Sequence, residues 1–385
     1  MKPRHARALV HRIERATAEA LGQGDPSPPQ PTKLLVAVSG GADSSATLLA
    51  LSERAQQHGW QLSAVHVDHG IAAPAIRAAF RTAVRDLTER LEVPLVECAV
   101  DVPGVAAGEG LSIETAARRE RYAALSRVAS QEAVAAVVTG HTIDDQAESV
   151  LLHLLRGSGL DGLSGMAAAG VVPTAPLSAD TALPPLVRPL LGVRRAETRE
   201  LCAHHCVTFV DDPANEDPAF TRNRIRGEVL PVLEAVNPNI VRTLAQLSTD
   251  VRPDRLLLDD LTRQAFADVS QSDDRHEIFL SRAALADLPE ALRIRVLRFA
   301  VTRLADTPSH DRAHALARLA TKGGHRIDCG GGVQAEARGD RLRIWRRGPA
   351  GLRVADRTSQ RAEIDTPENR VLRSPSRAGN PASCE

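Results

Sequence analysis

Apolar residues recur along this chain at two spacings. Residues 34–38, Leu-Leu-Val-Ala-Val, form a short continuous run, the pattern of a strand buried on both faces. The run ends at Ser39-Gly40-Gly41-Ala42-Asp43-Ser44, and helical spacing follows with Leu48, Leu49 and Leu51 on one side. Residues 61–66, 94–100 and 133–139 read as further strands. Between and after them lie helical patterns: 75–91, with Ile76, Phe80, Val84 and Leu87 in register; 112–128, with Ser112 as cap; and 144–156. Strands alternating with helices of roughly ten to twenty residues predict an α/β fold with a doubly wound parallel sheet. Ligands of such a sheet sit at the carboxyl ends of its strands, where Ser39, Asp68 and His141 fall.

The flanking segments read differently. Residues 4–22 have helical spacing, with Leu9, Ile13, Ala16 and Ala20 on one face, and 23–32 form a proline-rich connector. Residues 157–186 are loop-like, 194–205 helical, and 220–235 helical with a break or kink near Pro231. Residues 239–305 read as a separate helical segment, and 326–344 as short strands around Gly-Gly-Gly and Arg-Gly-Asp. The Arg/Ser/Pro-rich end suggests disorder. The expected domains are therefore 1–32, an N-terminal helix and connector; 33–238, the α/β unit; 239–348, a smaller, mainly helical unit; and 349–385, a disordered tail.

Composition narrows the class. Over 385 residues the apolar share is 43% and the charged share 25%, as in ordinary globular proteins. The opening residues lack an apolar signal core and no run reaches the length of a membrane span, which predicts a cytoplasmic chain with no membrane association. Five cysteines make no disulfide framework at this length. A formal net charge of zero argues against a protein that coats nucleic acid indiscriminately.

Chemistry concentrates at strand ends. A strand, a glycine turn and a helix start together make an anion site, with free N–H groups and the positive dipole end directed at the loop. Gly40 and Gly41 permit close backbone approach and positive φ, and Ser39, Ser44 and Ser45 add hydroxyls. No lysine follows the glycines, so this is not a Walker loop. His66-Val67-Asp68-His69-Gly70 ends the second strand, and Asp68 is a candidate for metal or adenosine contact. In Gly140-His141-Thr142-Ile143-Asp144-Asp145-Gln146-Ala147-Glu148, helical spacing puts the three carboxylates on a shared face, suited to Mg²⁺ or an ammonium. Taken alone, Asp144 or Asp145 also reads as an N-cap, Glu148 as a surface charge, and Arg118 with Glu114 or Tyr122 as an exposed helix pair. Cys202-Ala203-His204-His205-Cys206 offers three groups to a metal but lacks a fourth, and an apolar helix face is the simpler reading.

SGGADS resembles the PP-loop of the N-type ATP pyrophosphatases, a fold of the adenine nucleotide alpha hydrolase kind. Taken with HVDHG, ETAARRERY, GHTIDDQAES, LLRGSGLDGLSGM, RPLL, DDPAN and FTRNRIR, in this order and spacing, the chain is similar to the tRNA(Ile)-lysidine synthetases. The resemblance is strong from Lys33 to about Pro238 and weaker to about Trp345. It implies an ATP-dependent ligase acting on a minor isoleucine tRNA with a CAU anticodon. ATP would adenylate the C2 oxygen of the wobble cytidine, and the ε-amine of free lysine would then displace AMP. It further implies ATP on Ser39, Gly40, Gly41, Ala42, Asp43 and Ser44, and Mg²⁺ or nucleotide on Asp43 and Asp68. His141, Asp144, Asp145 and Glu148 would line the lysine and cytidine site, and Arg118, Arg222 and Arg226 would meet nucleotide phosphate or tRNA. The segment 239–348 would bind tRNA. Two departures stand out: Ile71-Ala72 replaces the family's Leu-Arg after Asp68-His69-Gly70, leaving Arg77 as the nearest substitute, and Thr142 replaces His or Asn. The rival readings are another PP-loop adenylating enzyme, such as a tRNA thiolase or an amidotransferase synthetase, and a nucleotide-binding tRNA chaperone without catalysis.

Overall fold

In the computed structural model, residues 1–23, 31–171, 184–217, 220–274, 276–305 and 307–347 are described. Most of the proline-rich connector, part of the 157–186 segment and the whole tail expected to be disordered lie outside them. The chain divides into two compact units, one running from Met1 to Asp259 and the other beginning at Asp260.

The first unit is built on a six-stranded sheet: β1 (Thr32–Ala37), β2 (Trp60–Asp68), β3 (Leu95–Ala99), β4 (Ala136–Val138), β5 (Ala169–Gly170) and β6 (Leu186–Val187), in the order β3-β2-β1-β4-β6-β5. All pairings are parallel except β5 with β6. Its helices are α1 (Pro3–Ala20), α2 (Ala42–His58), α3 (Pro74–Arg90), α4 (Val102–Glu109), α5 (Ile113–Gln131), α6 (Ile143–Leu155), α7 (Leu160–Leu163), α8 (Arg195–His204), α9 (Thr221–Arg224), α10 (Leu230–Val236) and α11 (Ile240–Val269), the last continuing into the second unit. The doubly wound parallel sheet expected from the alternation is present. Its apolar strand β1 serves two cores: Leu34 and Val36 pack toward α1, α2 and α8, whereas Leu35 packs with Tyr122, Leu125 and Val128 of α5. A strand buried on both faces needs no polar alternation, which is why the run is continuous.

Helix α1 is part of this core. Ala6, Leu9, Val10, Ile13, Glu14, Thr17 and Ala18 are its buried residues, while Ala16 and Ala20, expected on that face, are half-buried. An amphipathic helix with this stripe must cover it, and it does so in the cluster shared with Leu48, Leu51 and Leu201.

The second unit holds β7 (Ser270–Asp273), β8 (Glu277–Ser281), α12 (Arg282–Asp287), α13 (Glu290–Thr302), α14 (His310–Lys322), β9 (Ile327–Gly330), β10 (Val333–Arg338) and β11 (Arg341–Arg346). Its strands form an antiparallel sheet ordered β7-β8-β11-β10-β9. The strands expected around 326–344 are there, but 239–305 is not helical throughout. Residues 270–281 form the hairpin β7–β8, whose Ile278 and Leu280 join Leu342 and Ile344 in the core. Two alternating apolar positions between long helices are too faint a signal to separate by spacing alone. Helices α9 and α10 are joined by a π-turn at Ile225–Val229. Pro231 has no N–H to give the preceding turn, and the break expected near it takes the form of this widened turn.

Glu14 ties α1 to α2. It is 7% exposed, hydrogen-bonds His58 Nε2 (2.6 Å) and His11 Nδ1 (2.9 Å), and pairs with Arg54 at 3.5 Å. Burial pushes its pKa up, but the hydrogen bonds to His58 and His11 and the Arg54 charge prevail and hold it below the usual glutamate value. Such a carboxylate contributes stability that is complete above its unfolded pKa and lost as pH falls through the lower folded one. Glu14→Gln is therefore expected to cost about 1–3 kcal/mol near neutrality. Thermal melts at a series of pH values should show the gap from the parent protein closing below pH 4.5. A gap constant with pH would show that the charge of Glu14 contributes nothing.

Candidate functional site

The site lies where the sheet order reverses, between β1 and β4, the position at which open α/β sheets bind ligands. The loop after β1 is closed by its own serines. Ser44 Oγ accepts from Ser39 N (3.1 Å), donates to Gly41 O (3.1 Å) and lies 3.0 Å from Ser39 Oγ. Gly40 has φ +92°, and a Cβ there would stand 2.9 Å from Phe80 O, so glycine is required twice over. Gly41 caps α2 with ordinary φ; a Cβ on it would meet nothing of the protein closer than Ser39 Oγ at 3.5 Å. The β4–α6 loop presses against this turn, and a Cβ on Gly140 would lie 2.9 Å from Ser44 N.

A cleft of about 1250 Å³ opens over both loops. Ser39, Gly41, Ala42, Asp43, Ser44, Arg118, His141, Asp145, Arg222 and Arg226 all border it, so most of the residues singled out in the sequence meet here. Asp144 and Glu148 do not border it, and neither does Asp68.

Strand alternation explains Asp68. Val65, Val67 and His69 face the cleft, so Asp68 projects to the other side, where Arg77 donates from Nε (2.8 Å) and Nη2 (2.7 Å) and Arg81 from Nη2 (3.3 Å). The Arg77 fork holds its carboxyl at about 2. Arg77, the candidate for the missing phosphate contact, is thus engaged by Asp68.

Helix α6 begins with a capping box. Thr142 is the N-cap; its N–H and Oγ1 donate to Asp145 Oδ2 (both 2.8 Å), and Asp145 N donates back to Thr142 Oγ1 at 3.3 Å. Neither aspartate is the cap itself. Asp144 instead accepts from Arg195 N (2.8 Å) and Arg194 Nε (3.1 Å), capping the start of α8 across the interface. Glu148 is no surface charge: it is fully buried and accepts from Arg195 Nη2 (3.2 Å), Arg222 Nε (2.7 Å) and Arg226 Nε (2.8 Å). Arg195 and Arg222 also reach Asp145 Oδ1, at 2.9 and 3.3 Å. Their charges outweigh burial and keep Asp145 ionised. Its neighbour His141, hydrogen-bonded through Nδ1 to Thr139 Oγ1 (2.9 Å), is pushed down to about 3 by burial and stays neutral.

Asp43 differs from these acids. It accepts from Thr198 Oγ1 and, among the described residues, forms an ion pair with Arg195 alone, whose Nε lies 3.5 Å away. Burial, with Asp145 and Asp144 adding repulsion, raises its carboxyl to about 6. Asp43 is thus short of positive charge at the edge of an anion-binding loop, which suits a divalent cation; the arginine-saturated Asp68 does not. Among the described residues no three His, Cys, Asp or Glu side chains are grouped to hold a metal without other ligands.

Sequence reasoning missed Arg188, Arg194, Arg195, Thr198 and Gln146. Gln146 Nε2 donates to Ser248 Oγ (2.7 Å) and Met166 O (3.0 Å), locking α6 to α11. Arg194 and Arg195 carried a usable signal, since two cations at a helix N-terminus oppose its dipole and call for nearby acids. In the Cys202–Cys206 stretch, Cys202 is a core residue whose thiol donates to Ala42 O and is pushed up to about 12 by burial, as the apolar reading required.

Residues 9–233 match the family described as PP-loop domain. The tRNA(Ile)-lysidine synthase of Leifsonia xyli subsp. xyli is 39% identical over 77% of this chain and 85% of its own length. That of Salinispora tropica is 39% identical over 82% of this chain and 91% of its own length. That of Streptomyces coelicolor is 40% identical over 71% and 72%. A PP-loop held between β1 and α2, and relatives matched over most of their length, lead to one conclusion: the chain belongs to the tRNA(Ile)-lysidine synthase family.

Proposed function

We propose that this protein is an ATP-dependent ligase that converts the wobble cytidine of a minor isoleucine tRNA to lysidine. The observation that carries the reading is the meeting of the PP-loop with His141 and Asp145, at the start of α6, on one cleft. Ser39 to Ser44 hold the β- and γ-phosphates, with Gly41 leaving room for one of them. The C2 oxygen of cytidine attacks the α-phosphate and pyrophosphate leaves. The lysine ε-amine, having lost a proton, then attacks C2, and the C–O bond to AMP breaks. Asp43 would hold a Mg²⁺ ion arriving with ATP, which would supply positive charge to the phosphates. Asp145, the acid of α6 that borders the cleft, receives the lysine ammonium, and neutral His141 offers its remaining ring nitrogen to the cytidine. A carbonyl oxygen is a weak nucleophile, so positioning carries much of the acceleration.

Glu148 acts from behind. With both oxygens occupied by guanidinium groups, it orients Arg222 and Arg226 toward the cleft, where they meet phosphate or RNA. The segment from residue 239 to 348 supplies further tRNA contacts, and the protein works in the cytoplasm; among the described residues no helix is long and apolar enough to cross a membrane. A thiolase would need a reactive cysteine at the cleft, and none of the described cysteines borders it.

Incubation with ATP, labelled lysine and total tRNA is the direct test. Label should enter RNA, and Asp43→Ala should abolish pyrophosphate release while leaving the circular-dichroism spectrum unchanged. Pyrophosphate release without lysine transfer would favour another adenylating enzyme, and neither reaction would favour a chaperone. Gly41→Ala should melt like the parent, because its Cβ meets only ordinary contacts. It should nevertheless bind ATP at least about tenfold more weakly, which is roughly 1.4 kcal/mol. Unchanged ATP affinity would move the phosphates off this loop.

Glu148→Gln leaves three arginines without their common anion, and breaking a buried pair typically costs about 3–5 kcal/mol. Adenylation and lysine transfer should fall together in this variant. If adenylation stays normal and only the lysine requirement rises, Glu148 contacts lysine directly.

A further inference from the structure

Charge is paired unevenly around the cleft. On the side of α8, α9 and the π-turn each arginine that borders it is met by a carboxylate: Arg195 and Arg222 by Asp145 and Glu148, Arg226 by Glu148, and Arg199 by Asp211 at 2.6 Å. Arg118, Arg121, Arg156 and Arg188 border the same cleft, and among the described residues none of these four forms an ion pair. Glu114, on the first turn of α5, also borders the cleft and pairs with none of them.

The position of Arg188 is the most demanding. It is 7% exposed, at the end of β6. One nitrogen, Nη1, donates to Ala167 O at 2.8 Å, while the buried Nε has no partner. Arg188 also hydrogen-bonds the Tyr122 hydroxyl, a neutral partner, and its like-charged neighbours are Arg118 and Arg121, whose guanidinium groups lie 5.2 and 5.0 Å from the Tyr122 ring centre. A buried guanidinium next to two like charges is costly unless an anion arrives to neutralise it. The triphosphate already has the loop amides, the serine hydroxyls and the α2 dipole. The unpaired arginines are instead spread over α5, the end of α6 and the end of β6, the distribution that suits a backbone carrying one charge per nucleotide.

We infer that Arg121, Arg156 and Arg188 form a subsite for the sugar-phosphate backbone of the RNA strand that flanks the target base, separate from the PP-loop. The inference rests on the ligase reading above for the identity of the strand. It assigns the α5–β6 wall to RNA backbone, with Tyr122 as the platform that keeps Arg121 extended, and leaves the paired arginines across the cleft to the reacting phosphates.

The test uses the full chain and three substitutions. Arg156→Gln lies on an exposed residue and should not disturb folding; Arg188→Gln removes the buried charge; Arg188→Lys restores the charge without the fork. A fluorescent RNA stem-loop with a CAU loop is titrated at several salt concentrations, and ATP binding is measured separately by equilibrium dialysis. Both glutamine variants should bind the stem-loop more weakly, with the log–log salt slope shallower by about 0.7–0.9 for each phosphate no longer neutralised. Arg188→Lys should recover the slope but only part of the affinity, and ATP affinity should not change. An unaltered RNA affinity and slope in Arg156→Gln and in a folded Arg188→Gln would overturn the inference, as would loss of ATP affinity with RNA binding intact. Lysine incorporation by the parent protein is the independent arm. If the arginines govern RNA binding but no lysine is transferred, the ligase reading fails and the subsite stands.

Discussion

A carboxylate with no solvent exposure is costly to bury without partners, and Glu148 is met by three guanidinium groups from three segments of chain. This constraint organises the site. Arg195 fixes the start of α8, Arg222 lies on α9, and Arg226 lies within the π-turn that follows. Each also reaches toward Asp145 on the cleft side, so one buried charge and one bordering charge hold the same three cations. Arg195 extends the network to Asp43 and thereby to the PP-loop. The phosphate-binding turn and the acidic helix are coupled through arginine.

The backbone makes this arrangement possible at two points. Gly140 allows the β4–α6 loop to approach the first turn of α2 as closely as backbone permits, which brings His141 and Asp145 to the PP-loop. The π-turn at Ile225–Val229, next to Pro231, changes the helical phase just where Arg226 must share an acceptor with Arg222. Widened turns of this kind persist where a functional arrangement repays the distortion. Both devices lie in connections and helix ends, while the sheet supplies a rigid base.

Within the cleft, burial sorts the acids. Asp145 is kept ionised by arginine, His141 is kept neutral by desolvation, and Asp43, buried with less compensation from cations, rises to about 6. Groups of similar chemistry in the sequence therefore enter the site in different states, set by which cations their neighbours bring.

Local pattern determined a great deal. The continuous run at Leu34–Val38, the glycine turn and the helical spacing after it placed β1, the PP-loop and α2, because strand and helix periods are properties of the chain itself. The alternation that followed predicted the parallel sheet, and the sheet carried His141 and Asp145 to the right edge. Three things were decided only in three dimensions. Strand alternation turned Asp68 away from the cleft and His69 into it, a choice of one residue in phase. Pairing partners far apart in sequence made Glu148 a buried anchor and Asp144 a cap for α8. Distant segments supplied Arg188 and Arg195, whose meaning depends on which charges they meet, and charge pairing across a fold leaves no spacing in the sequence.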